Sequence, residues 1–290
     1  MQPLLWDRRP DGLRAPAMLC AFTGWNDAGD AASAALSFIG TSLGATRFAH
    51  IDPEEFFDFQ AQRPRVRLTE SRVREITWPQ VEIFEARVPR AHRDLILLQG
   101  PEPSMRWRTF TSLIVELAEA LGVQFVITVG ALLADVPHTL PVHVTGISSD
   151  ESLVGRMDLR RSSYEGPTGI TGVLHSACAE AGLPSAGLWA SVPHYVAAAP
   201  NPKAALALVR KVEGLVGIAV DASDLETASA EYERQVGLAV QSDPEVQAFV
   251  ERLERTAEDS SSEDEGDLPS GDLLAREFQR FLRQRGADDN

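Results

Sequence analysis

Cysteine is nearly missing: Cys20 and Cys178 are the whole complement of a 290-residue chain, and each sits in an apolar segment. Two such thiols make no disulfide framework, and usage this low fits a reducing cytoplasm. Long hydrophobic runs are missing as well. Segments such as Phe125 to Val129 fall far short of the ~20 apolar residues a bilayer span needs, so no membrane association is expected. The opening MQPLLWDRRPDG has neither the basic start nor the apolar run of a secretory signal, which again points to the cytoplasm. Basic charge is scarce, with 27 Lys and Arg against 42 Asp and Glu, a net charge of −15 and a pI near 4.8. Nucleic-acid binding, which needs clustered cations to displace counterions from phosphates, is therefore not expected. One basic run exists, Arg63, Arg65, Arg67, Arg72 and Arg74. Its alternation with Pro64, Val66 and Leu68 has the two-residue period of a strand and reads as the solvated face of an edge hairpin.

Catalytic signatures are absent too. The chain has no Walker loop, dinucleotide fingerprint or Gly-x-Ser-x-Gly elbow. Its six histidines, His50, His92, His138, His143, His175 and His194, lack the helical i, i+4 pairing or cysteine partners of metal sites. Neither a metal nor a cofactor is expected.

What is present is an ordinary globular composition, 44% hydrophobic and 24% charged, long enough for a sizeable core. Met18 to Ala35, MLCAFTGWNDAGDAASAA, reads as strand, polar turn and alanine-rich helix, and a strand at 46–51 completes one parallel unit. Further buried strands are expected at Asp94 to Leu98, Val123 to Val129 and Ala186 to Val192, alternating with helices at Trp107 to Leu121 and Val173 to Ala181. Residues 1–220 thus form an α/β domain around a mostly parallel sheet, with an inserted β-hairpin region at 54–88. Asn201 and Pro202 open a helix as N-cap and first position. Residues 221–256 read as a helical hairpin without strands. The stretch 257–271, AEDSSSEDEGDLPSG, has the composition of an acidic linker without fixed structure. Residues 272–286 return to helical spacing as a tethered amphipathic helix.

In an open sheet, ligands bind where strands end at their carboxyl edge. Loops at 23–30, 99–104, 130–139 and 164–172 should gather there. The candidate ligand-binding residues are Trp25, Asn26, Asp27, Glu102, Gly130, Asp135, His138, Thr168, Gly169 and Thr171. Asp27, Glu102, Asp135 and His138 would supply acid or base groups, and the glycine-rich turn before the helix at 173 would offer free amides to an anion. No residue is assigned as catalytic. The competing reading is that Gly and Pro merely end the strands and that Asp27 or Asp135 bonds local backbone amides.

The blocks GWNDAGDAAS, LLQGPEPSMRW, VGALLADVPHT, YEGPTGITGVL, SVPHYV and LPSGDLLAREFQRFL, in this order across nearly the whole chain, resemble the proteasome assembly chaperone 2 family, in particular its actinobacterial branch. The resemblance implies a three-layer α/β/α sandwich similar to that of purine nucleoside phosphorylases and peptidyl-tRNA hydrolases, with a helical carboxyl-terminal extension. It also implies a non-catalytic, homo-oligomeric interaction or chaperone-like protein with a proteasome-related partner. The alternative is an enzyme or sensor holding a small anionic or nucleoside-like ligand in the strand-end pocket. Family members often dock through a terminal hydrophobic-Tyr-x motif. This chain ends Gly286-Ala287-Asp288-Asp289-Asn290, so docking by that route is not expected.

Overall fold

The middle strands are the unbroken apolar runs of the sequence, AMLCAFT and FVITVGALLA, and such runs belong where both faces of a sheet are covered. The computed structural model describes residues 3–68, 74–148, 150–157, 159–161, 164–196 and 200–261. In chain order these form β1 (Leu4–Trp6), β2 (Ala17–Thr23), α1 (Ala31–Ser42), β3 (Thr46–Ile51), β4 (Arg65–Leu68), β5 (Arg74–Thr77) and β6 (Val81–Ala86). There follow β7 (Leu95–Pro101), α2 (Trp107–Ala120), β8 (Phe125–Ala134), β9 (Val144–Ser148), α3 (Glu151–Met157), β10 (Arg160–Arg161) and α4 (Ile170–Glu180). The last described elements are β11 (Ser185–Pro193), α5 (Pro202–Val216), α6 (Ser223–Gln241) and α7 (Pro244–Ser261).

Nine strands make one sheet in the order β1-β3-β6-β7-β2-β8-β11-β9-β10. Its heart, β7-β2-β8-β11, is parallel, and β6 and β9 pair antiparallel on either side of it. Ala17, Leu19 and Ala21 of β2 point to the face covered by α1 and α5, where Leu36, Ile39, Leu208 and Val212 are buried. Met18, Cys20 and Phe22 point the other way, to Phe110 and Ile114 of α2 and Leu174 and Cys178 of α4. The alternation of β2 thus serves two cores at once, and the fold is a three-layer α/β/α sandwich.

An ion pair between half-exposed Arg14 and buried Asp94 fixes the amino-terminal edge of this sheet. Asp94 is fully buried just ahead of β7. Its carboxylate accepts from Arg14 Nη2 at 2.7 Å and from the amides of Arg14 and Val88 at 2.9 and 3.0 Å. Burial alone would raise this carboxyl, but the bonds to Arg14 and to the two amides hold it at about 2. Backbone bonds Ala17 N to Asp94 O, 3.1 Å, and Asp94 N to Arg14 O, 3.0 Å, align β2 with β7 at the same point.

Several elements differ from the sequence expectation. β3 is parallel in direction to β2 but does not pair with it, because β6 and β7 come between them. Within 54–88, only β4 and β5 stand apart as a two-stranded sheet; β6 joins the main sheet, its Val81 and Ile83 being buried in the α2–α4 core. β8 runs on to Ala134 because its pairing with β11 continues from Gly130 opposite Trp189 to Ala134 opposite Pro193. The expected loop 130–139 is therefore a loop only from Asp135 onward.

Asn201 caps α5 by accepting from the amide of Ala204 at 2.9 Å, with Pro202 behind it. Gly217, at φ 73°, closes the helix in the left-handed region that glycine tolerates best. α6 packs on this helix and α7 packs on α6, the pair having a small core of its own, Tyr232, Val236, Val240 and Val250. α7 continues to Ser261, five residues into the stretch expected as linker. The remainder of that linker and the tethered helix at 272–286 lie outside the described residues.

Candidate functional site

The turn after β2 is held by its own side chains. Gly24 takes φ 118°, open to glycine alone without strain, and the turn then brings Asn26 and Asp27 under the sheet edge, 1% and 5% exposed. Asp27 accepts from the amides of Ala32 at 2.7 Å and Ser33 at 3.3 Å, so its carboxylate satisfies orphan donors in the first turn of α1. Burial nevertheless pushes its pKa up. Trp25, half-buried, sits on the same turn.

Glu102, just past β7, reaches the start of α4. Its Oε1 accepts from the Ile170 amide at 2.7 Å and from Asn26 Nδ2 at 2.9 Å. Thr171 donates its hydroxyl to Asn26 Oδ1 at 3.4 Å. Gly169 is what lets these groups meet, because a Cβ there would lie 2.6 Å from the Asn26 amide and 2.8 Å from Glu102 Oε1. Loops 23–30, 99–104 and 164–172 therefore converge. The anion expected at this helix start is supplied by the protein itself, in the carboxylate of Glu102. Burial raises that carboxyl above its ordinary value, opposed by the bonds from Ile170 and Asn26. Thr168 is exposed at the rim of the cluster.

The fourth loop goes elsewhere. Gly130 lies inside β8, where its missing side chain accommodates the Trp189 ring, 2.7 Å from a would-be Cβ. Asp135 is mostly exposed and pairs with His194 at 3.0 Å. His138, 4% exposed, donates its amide to the Tyr195 oxygen at 2.7 Å, and its Nδ1 stands 2.8 Å from the same oxygen. The phenol proton is available to Nδ1 of a neutral ring while the oxygen accepts from the amide. Burial lowers its pKa in the same sense. Lys203 Nζ donates to His138 O at 2.6 Å and pairs with Glu233 at 2.6 Å.

A cavity of about 160 Å³ opens beside these groups, between the 136–143 loop, the end of β11 and the α6–α7 pair. Val136, His138, Leu140, Lys203 and Tyr232 are among its walls. The Tyr232 hydroxyl is buried without a hydrogen-bond partner, and burial pushes its pKa to about 12. The two places touch through the backbone, where Asn201 N donates to Gly29 O at 2.8 Å and Ala131 N to Asn26 O at 2.9 Å. Among the described residues no group of three or more His, Cys, Asp or Glu is placed to hold a metal ion, and no helix is long and apolar enough to cross a membrane.

Sequence reasoning named Asn26, Glu102 and Thr171 but missed Tyr195, Lys203 and Tyr232. Tyr195 had a signal, since Pro193-His194-Tyr195 ends β11 and must share the edge reached by β8. Tyr232 had none beyond its place in an amphipathic stripe.

Comparison with known proteins completes the picture. No curated protein matches the chain. A solved PAC2 family protein from Streptomyces avermitilis is 46% identical, with a TM-score of 0.76 over 81% of this chain and 99% of the other. A proteasome-assembly chaperone homologue from Mycobacterium tuberculosis is 42% identical, with a TM-score of 0.74 and the same two coverages. A protein of unknown function from M. tuberculosis is 27% identical, with a TM-score of 0.81 over 91% of this chain and 93% of its own. The model of the PAC2 family matches residues 21–240, which takes in the clasp at Glu102, the cavity loop and α6, and the chain belongs to that family.

Proposed function

We propose that this chain is a non-catalytic, homo-oligomeric interaction protein of the chaperone kind, working in the cytoplasm on proteasome assembly. The observation that carries the non-catalytic part is the seat of Glu102 on the amide of Ile170. With Asn26 and Thr171 bonded to each other and Asp27 spent on α1, the polar groups of the β2 and β7 ends fasten loops to helices. The link to the proteasome is supported by the 42% identical homologue of a proteasome-assembly chaperone. The test is to mix the full chain with separately purified proteasome α and β subunits and follow native electrophoresis. A stable complex with either subunit, or faster formation of the assembled particle, is expected. If the chain neither binds a subunit nor changes the rate of assembly, the reading fails.

A second reading, a sensor of small ligands, draws support from the cavity and the unpartnered hydroxyl of Tyr232. At about 160 Å³ it is smaller than the roughly 300–1,000 Å³ of drug-sized sites. It suits a small carboxylic acid better than a nucleoside. Thermal-shift screening with phosphate, nucleosides and small acids checks it, and a flat response across all three classes removes it.

A further inference from the structure

The cavity beside Tyr232 has walls of two kinds. Val136, Leu140 and Val142 are apolar, whereas Lys203, His138 and Tyr232 carry polar groups. Each of those three presents a donor. An ammonium has three protons, and the bonds of Lys203 to His138 O and to Glu233 use two of them. A neutral His138 ring that accepts at Nδ1 carries its proton on Nε2. That nitrogen faces α6 at Gly237, where an added Cβ would lie 3.8 Å from it. Tyr232 is 9% exposed and its hydroxyl is buried without a hydrogen-bond partner, a costly arrangement that a bound acceptor would relieve.

Charge and size narrow the ligand. The Lys203 side chain is 14% exposed and that of its partner Glu233 43%, and only the lysine belongs to the walls. A cation set among apolar side chains favours an anion beside it. The space of about 160 Å³ is close to the roughly 150 Å³ that admits benzene in an apolar core, so it holds about six non-hydrogen atoms. A carboxylate of about four carbons has that size, with a charged end for the donors and a tail for the apolar walls.

α7 completes the enclosure, since Ala257 is one of the walls. The helix is fastened here by the bond from Thr139 to Glu254 and by Phe249 against the rings of His194 and Tyr195. A ligand that needs this wall binds only the form with α7 docked, and stabilises that form by mass action.

We propose that the cavity is a site for a short-chain monocarboxylate, its charged end on Lys203, His138 Nε2 and the Tyr232 hydroxyl and its carbon chain against Val136, Leu140 and Val142, and that binding holds α7 closed. The inference rests on the small-ligand reading above and adds the ligand class and the response.

Calorimetric titration of the full chain with acetate, butyrate, valerate and octanoate, and with butanol, adenosine and inorganic phosphate, tests it. Affinity should peak at butyrate or valerate and fall for octanoate, with butanol, adenosine and phosphate weaker than either. Tyr232→Phe should weaken butyrate at least roughly tenfold, as loss of a hydrogen bond to a charged group implies, and Lys203→Met at least as much. Tyr232→Phe should keep the thermal stability of the free wild type, because the hydroxyl it removes has no partner there. Butyrate should slow hydrogen exchange in α7 and leave β2 unchanged. Silence towards every compound overturns the small-ligand reading and this inference together. Binding of phosphate or adenosine but no carboxylate, or equal affinity along the whole carboxylate series, overturns only the ligand class. Butyrate affinity unmoved in both variants overturns the site, and unchanged exchange in α7 overturns the closure.

Discussion

Glu102 spends its charge on holding the start of α4 and the turn after β2 in place. Replacing it by alanine leaves the Ile170 amide and Asn26 Nδ2 without their acceptor, and a buried donor left unpaired costs about 1–3 kcal/mol. Glu102→Gln keeps an acceptor oxygen and removes the charge that burial disfavours. At pH 7 it is expected to be at least as stable as wild type, while Glu102→Ala loses that amount in urea denaturation. The pH dependence has a definite sign. Because the folded-state carboxyl is raised above its usual 4.5, the folded protein binds the proton more tightly than the unfolded chain. Wild type therefore loses stability relative to Glu102→Gln as pH climbs from about 4.5 through the raised value, and the difference is flat above it.

Asp94 behaves in the opposite sense. Its carboxyl is held at about 2 against an ordinary 3.8, so its contribution is full above pH 4 and is lost as pH falls from there to about 2. Allowing for the half-exposed Arg14 partner, that contribution is roughly 1–2 kcal/mol. Asp94→Asn should lower stability by that much at pH 7, and the two unfolding curves should draw together as the pH is brought below 4.

At the scale of elements, patterns confined to one segment were legible and those set by a distant partner were not. The apolar stripe of α2, the Asn201-Pro202 start of α5 and the buried runs of β2 and β7 could be read directly, since each is decided by its own residues. The length of β8 could not, because Gly130 to Ala134 become strand through pairing with β11, where Gly130 lies opposite Trp189 and Ala134 opposite Pro193. α4 starts at Ile170 rather than 173 because Glu102 supplies the acceptor for its first amide. That partner is 68 residues away and leaves no mark in the local sequence. Of the candidate site, the convergence of three loops was legible from alternating strands and helices. The diversion of Asp135 to His194, and of His138 to Tyr195 and to Lys203 of α5, was not. Gly169 gives the clearest check at this scale. Its backbone, at φ −90°, suits any residue, so Gly169→Ala tests space alone. The added methyl must displace Asn26 or Glu102, and an overpacked site of this sort costs about 1–3 kcal/mol. Thermal unfolding of the variant should show that loss, and Gly130→Ala, against the Trp189 ring, a comparable one.

The whole molecule combines two cores of very different weight. The sandwich encloses large clusters on both faces of its sheet, whereas the α6–α7 pair has four buried residues of its own around Tyr232. Further purchase on the body comes from Leu225 within the α1–α5 core, from Phe249 against the rings of His194 and Tyr195, from the Lys203–Glu233 and Arg210–Glu226 pairs and from the bond from Thr139 to Glu254 at 2.5 Å. Exposed pairs of this kind contribute about 0–1 kcal/mol each. Local opening free energies follow buried apolar contact, so α7 should open well before β2 or β8. Hydrogen exchange followed by mass spectrometry is expected to show α7 amides exchanging orders of magnitude faster than those of β2 and β8, with α6 in between. Cys20 and Cys178, both fully buried in the α2–α4 core, report on the body independently. Their thiols should stay unreactive under conditions where α7 already exchanges and react only when the sandwich unfolds. Synchronous exchange of α7 and β2, with thiol reactivity rising at the same denaturant concentration, would instead make the helical pair part of one cooperative unit.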